Sequence, residues 1–130
     1  RTVWVDCDVI QADGGTRCAS ITGSFIALML AMKKLKKDKL IDQIPIRDYV
    51  AAISVGIIDG KNLLDLDYSE DSEADVDLNI IKTGGGGFVE IQGTAEREPF
   101  TDKQMKTMLA LADKGIKQLV AIQKQTVGKL

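Results

Sequence analysis

Apolar and polar positions change period several times along the chain, and each change marks an element. Val3, Val5, Val9 and Ile10 in a β-rich run predict a strand over residues 2–10, which Asp13-Gly14-Gly15-Thr16 ends. From Arg17 to Asp38, Ile21, Phe25, Leu28, Met29, Met32 and Leu35 recur at spacings of three and four, the stripe of an amphipathic helix. Residues 40–48 read as a linker, since Pro45 excludes helix. Val50 to Ile58 reads as a buried strand, Asp59-Gly60 as a hairpin turn and Asn62 to Tyr68 as the returning strand. An acidic loop follows. Val76, Leu78 and Ile80 then alternate with Asp77 and Asn79 along a strand to Lys82. Gly84 to Gly87 reads as a turn into a further strand, Phe88 to Gly93. Thr101 and Gln104 form a capping-box pattern, with Phe100 and Met105 at the staple positions. They open a helix whose face is Met105, Met108, Leu109, Ala112, Ile116, Leu119 and Val120. The predicted order β-α-β-β-β-β-α gives an α+β domain with two helices packed on a mostly antiparallel sheet.

Composition narrows the chemistry. The 130 residues contain no histidine, which removes the usual serine and cysteine triads and most zinc sites. Cys7 and Cys18 lack metal-ligand spacing and read as buried free thiols. Carboxylates, lysine, arginine, backbone amides or an oxygen-ligated metal remain. No apolar run reaches the roughly 18 residues that suggest a membrane span; the longest, Phe25 to Met32, ends in Lys33 and Lys34. No membrane partner and a cytoplasmic location are the expectation. A net charge of −2 does not point to nucleic acid. Lys33, Lys34, Lys36, Lys37 and Lys39 could contact RNA, or be a solvated helix end complementing the dipole.

Two stretches could carry chemistry. Gly14-Gly15-Thr16-Arg17 lies between a predicted strand and a helix start, where free amides, the dipole, a hydroxyl and a guanidinium suit phosphate. The alternative is a plain glycine turn with Thr16 as N-cap. Residues 65–77 hold seven carboxylates in thirteen positions. Most suit a solvated loop, but Asp77 sits within an apolar alternation. Asp71 and Asp77 together could hold Mg²⁺ through oxygen, and without a cation their repulsion should raise one pKa.

The segments DCDVIQADGGTRCASITG, VAAISVGIIDGKNLLDLDYSEDSEADVDLNIIKT and FVEIQGTAEREPF, in this order and followed by a helix, resemble ribonuclease PH over essentially all 130 residues. The family's chains are about twice this length, so the resemblance is to the C-terminal half. It implies a ribosomal-protein-S5-domain-2-like fold. Residues 1–45 would complete a first subdomain (strand, phosphate loop, helix), and residues 46–130 would form the second. It also implies a phosphate-dependent 3′→5′ exoribonuclease, a nucleotidyltransferase that trims tRNA precursor 3′ ends and releases nucleoside diphosphates. Inorganic phosphate would be the co-substrate, bound by Gly15, Thr16 and Arg17. Asp71 and Asp77 would be catalytic and would hold Mg²⁺. The expected partners are RNA and further copies of the chain, in a hexameric ring. The family's other phosphate-binding and RNA-binding arginines lie upstream of this sequence, and the 130 residues alone would be inactive. Cys18, Gly84–Gly87 and Arg97 depart from the family's usual threonine, polar turn and glycine. The rivals are a non-catalytic ring subunit of an exosome-type assembly, from which the retained acidic pair and phosphate motif argue away, and an RNA-binding module.

Overall fold

The computed structural model describes residues 2–130. Helix α1 (Thr16–Lys37) precedes strands β1 (Val50–Ile58) and β2 (Lys61–Leu64), a short helix α2 (Tyr68–Glu73), strands β3 (Val76–Thr83) and β4 (Phe88–Ala95), and helix α3 (Asp102–Val127). The strands form one antiparallel sheet in the order β2-β1-β3-β4. The α+β architecture is therefore as expected.

β1 is buried from Ala51 to Ile57 because it is covered on both faces. Its odd positions meet α3: a Cβ on Gly115 would lie 2.4 Å from Ile53 Cδ1, so the glycine lets helix and sheet approach closely. Its even positions share a face with Ile81 and with Cys18 of α1. The main core joins Met29, Val55, Leu78, Ile80 and Met108, each fully buried and each worth about 1.5–3 kcal/mol in transfer terms. Lys82 is 5% exposed on β3; its ammonium is paired with Asp113 of α3 and lies 4.1 Å from the Phe88 ring centroid. Asp59 and Gly60 take φ of 48° and 73°, the conformation their hairpin turn requires. Thr101 and Gln104 close the capping box of α3.

Several expectations are corrected. Residues 2–10 form no strand: among the described residues no strand lies beside them, and a β-rich run without an edge to bond has no ladder. Val3, Trp4 and Val5 lie beside Ala27, Leu28 and Ala31 of α1, and Trp4 is 91% exposed. Residues 62–68 are not one strand: β2 stops at Leu64, Asp65 takes φ 61°, and Tyr68 opens α2 inside the acidic stretch. Asp67 caps α2 by accepting from the Glu70 N–H, and the Glu70 side chain answers at the Asp67 N–H. Helix α1 keeps the expected stripe, with Phe25, Met29 and Met32 facing the core, while Leu30, outside that stripe, is exposed on the opposite side. By length and composition α1 could cross a membrane, a test that core helices also pass, and here it packs on β1 and α3. Finally, Cys7 is a free thiol but an exposed one.

Candidate active site

The site begins with period-two alternation. Antiparallel register sets Gly56 opposite Asp77, Ser54 opposite Asn79 and Ala52 opposite Ile81, and continues to Thr94, Gln92 and Glu90 on β4. All of these stand on one face of the sheet. The loop before α1 hangs over that face. Gly15, at φ 72°, is the N-cap of α1 and gives no side-chain cap, so Thr16 is the first helical residue and not the cap. The first amides of α1 are thereby left without a side-chain acceptor, at the positive end of a 22-residue helix.

The loop is pressed against the segment joining β2 to α2. A Cβ on Gly14 would lie 2.1 Å from the Leu66 carbonyl oxygen, closer than any side chain permits. Asp13 Oδ1 accepts from the Gly14 N–H at 2.8 Å and from the Tyr68 N–H at 2.7 Å. Ser54 Oγ accepts from the Leu66 N–H at 3.0 Å. These contacts bring Asp71, on α2, to the rim of a cavity of ≈ 140 Å³ lined by Gly15, Thr16, Arg17, Ser54, Asp71, Asp77 and Asn79. The two stretches singled out in the sequence thus meet in one place, and all five expected residues line it.

Charge in the cavity is divided. Arg17 donates from Nη2 to both oxygens of Glu90, at 3.0 and 2.9 Å. Both side chains are half-exposed, so the pair adds less than about 1 kcal/mol to stability; its effect is to aim the guanidinium. Asp77 has its carboxyl held above the usual carboxylate range by burial, then by the charges of Asp71 and Glu96. Its Oδ1 is buried and accepts no hydrogen bond among the described residues. That orphaned acceptor beside a second carboxylate fits a hard cation. No group of three or more ligand residues exists among the described residues, but Mg²⁺ commonly uses one or two carboxylates and fills its sphere with water and substrate oxygens. Asp71 and Asp77 would hold it.

Sequence reasoning missed Asp13, Ser54, Asn79 and Glu90. Cys18, buried and pushed up to about 11 by desolvation, is a thiol at neutral pH and donates to Asn79 Oδ1 at 2.7 Å. Features outside the cavity have local roles. Gly84–Gly87 is a hairpin turn, as expected, with Gly86 at φ 91°. Arg97 pairs with Asp75 at 3.3 Å and does not take a positive φ. Of the lysines ending α1, Lys33 donates to the Val127 carbonyl and Lys34 to Asp38.

Residues 48–115 match the model of the 3′ exoribonuclease family, domain 2. The chain belongs to the 3′ exoribonuclease family. Ribonuclease PH of Syntrophomonas wolfei subsp. wolfei is 60% identical over 128 residues, 98% of this chain and 54% of that protein. Ribonuclease PH of Bacillus pumilus is 57% identical over 131 residues, 100% of this chain and again 54% of the relative. The chain therefore spans about half the length of the curated relatives it matches, corresponding to their C-terminal half. Among solved structures, rice (Oryza sativa) Rrp46 superposes with a TM-score of 0.74 at 15% identity, over 92% of this chain and 51% of that one, a likeness of fold.

Proposed function

We propose that this chain is the part of a phosphorolytic 3′→5′ exoribonuclease that carries its phosphate and metal sites, acting on tRNA precursor 3′ ends. The observation that carries the reading is the meeting of Gly15, Thr16 and Arg17 with Asp71 and Asp77 in one small cavity; the ribonuclease PH relatives support it. The amides and Thr16 hydroxyl at the start of α1, with Arg17, hold inorganic phosphate. An oxygen of that phosphate forms a bond to the phosphorus of the terminal nucleotide, and the bond from that phosphorus to the preceding 3′ oxygen breaks. A proton passes from the attacking hydrogen phosphate to the departing oxygen, with Asp71 and Asp77 at hand to relay it. The products are a nucleoside diphosphate and an RNA one residue shorter. Asp71 and Asp77 would hold Mg²⁺, which would supply charge stabilisation on the transferring group. The protein would work as a ring of identical subunits, six in the family pattern.

The test is phosphate-dependent release of nucleoside diphosphates from a tRNA with a 3′ extension. It uses the full-length protein carrying this sequence, with Mg²⁺, beside Arg17→Ala and Asp77→Asn. Release that requires phosphate and falls at least about 100-fold in each variant is expected, in line with the loss of a preorganised charge contact. A folded, ring-forming protein that releases no diphosphate would overturn the reading and leave a scaffold subunit.

A further inference from the structure

The cavity is built from two segments far apart in sequence, and one small side chain joins them. Asp13 Oδ1 accepts from Gly14, next to the phosphate loop, and from Tyr68, the first residue of α2. Behind that shared oxygen the two backbones touch: a Cβ on Gly14 would fall within 3 Å of the Leu66 oxygen and of the carbonyl carbon and oxygen of Asp67. The helix that follows the Asp13–Gly15 turn carries Thr16 and Arg17, while α2 carries Asp71. Asp67 already caps α2 at the Glu70 N–H, so Asp13 is a second, non-local acceptor for the same helix start.

We infer that Asp13 is a positioning residue that sets the spacing between the phosphate-binding loop and the acidic helix, and so couples phosphate binding to divalent-cation binding. The inference rests on the proposed phosphorolysis for its catalytic consequence, but its geometric content stands apart. Asp13 lines no part of the cavity and acts through its neighbours. What matters in it is the place of one acceptor oxygen, not its charge. An arginine mutant of the loop should weaken phosphate alone and an aspartate mutant of the pair should weaken metal alone. Displacing the clamp should weaken both.

Two variants separate position from charge in the full-length protein. Asp13→Asn keeps an oxygen in place and removes the charge; Asp13→Glu keeps the charge and carries the oxygen one methylene away. Inorganic phosphate binding by calorimetry, Mn²⁺ binding by electron paramagnetic resonance, and the KM for phosphate against kcat are measured for each. Asp13→Asn should stay within about threefold of the parent in every constant. Asp13→Glu should weaken both phosphate and Mn²⁺ by about 10-fold or more, the scale of a lost supporting contact. The reverse order, or a loss confined to one ligand, overturns the inference. If the parent neither binds these ligands nor releases diphosphate, the phosphorolysis reading has failed, and hydrogen exchange at Gly14 and Tyr68 decides the clamp. Protection kept in the asparagine variant and lost in the glutamate variant upholds it; equal protection in both sinks it.

Discussion

Asp77 Oδ1 is a buried acceptor with no donor among the described residues, and Asn79 lines the same cavity. The Cys18 thiol donates to Asn79 Oδ1, and the Asn79 amide lines the cavity. In the proposed reading the Asp77 oxygen would face the cation and the Asn79 amide N–H₂ the phosphate, within the same cavity. Asn79→Asp replaces those donors with a third carboxylate and should raise the KM for phosphate by about 10-fold or more, measured at saturating RNA. Asp77 makes a prediction about pH. Burial and the neighbouring charges raise its proton affinity in the folded chain, so the folded form binds that proton more tightly than the unfolded form. Metal-free stability from this group is full below the ordinary 3.8 and is lost as pH rises through the raised value. Asp77→Asn stays neutral and should flatten that decline, seen as urea midpoints in EDTA that change less between about pH 4 and pH 7. Equal slopes in parent and variant would refute it. Asp77 was legible in the sequence because a carboxylate inside an apolar alternation is unusual. Asn79, Ser54 and Glu90 were not, because only strand register brings them beside Arg17.

Gly14 tests the fit between elements. Any side chain there drives into the carbonyl of Leu66, a backbone atom that cannot swing aside. Gly14→Ala should therefore destabilise by about 2–3 kcal/mol in chemical denaturation, as overpacking does, and weaken phosphate and metal binding together. A helix cap gives a smaller, local effect: Thr101→Ala removes the acceptor for the Gln104 N–H and should cost about 1 kcal/mol. That cap was readable in advance, as were the bounds of β1, the Asp59-Gly60 turn and the alternation of β3, since each is specified by residues next to one another. Helix α2 carried a readable signal too. Asp67 and Glu70 stand at the same spacing as Thr101 and Gln104, but six residues crowded with carboxylates look like a loop when charge is weighed before capping. Residues 2–10 show the converse. Their β-rich pattern is real, but a strand is a relation between two segments, and the pattern of one cannot supply the other.

Across the whole molecule, α3 is tied to the sheet by packing and by one buried ion. The buried Lys82 ammonium is paired with Asp113 and lies over the Phe88 ring. Asp113→Ala should destabilise by about 2 kcal/mol, because it strands the ammonium, while Lys82→Met should cost less; thermal unfolding of the two variants gives the order. The N-terminal segment stands in contrast, with Trp4 and Ile10 almost wholly in solvent and Val3, Val5 and Val9 half so. Trp4 is also the only tryptophan in the 130 residues. The chain therefore contains a built-in fluorophore at the place where it is least covered. Its emission should be that of an indole in water for the chain alone. A shift to the blue, and protection from a soluble quencher, would report the moment when other protein surface closes over the segment.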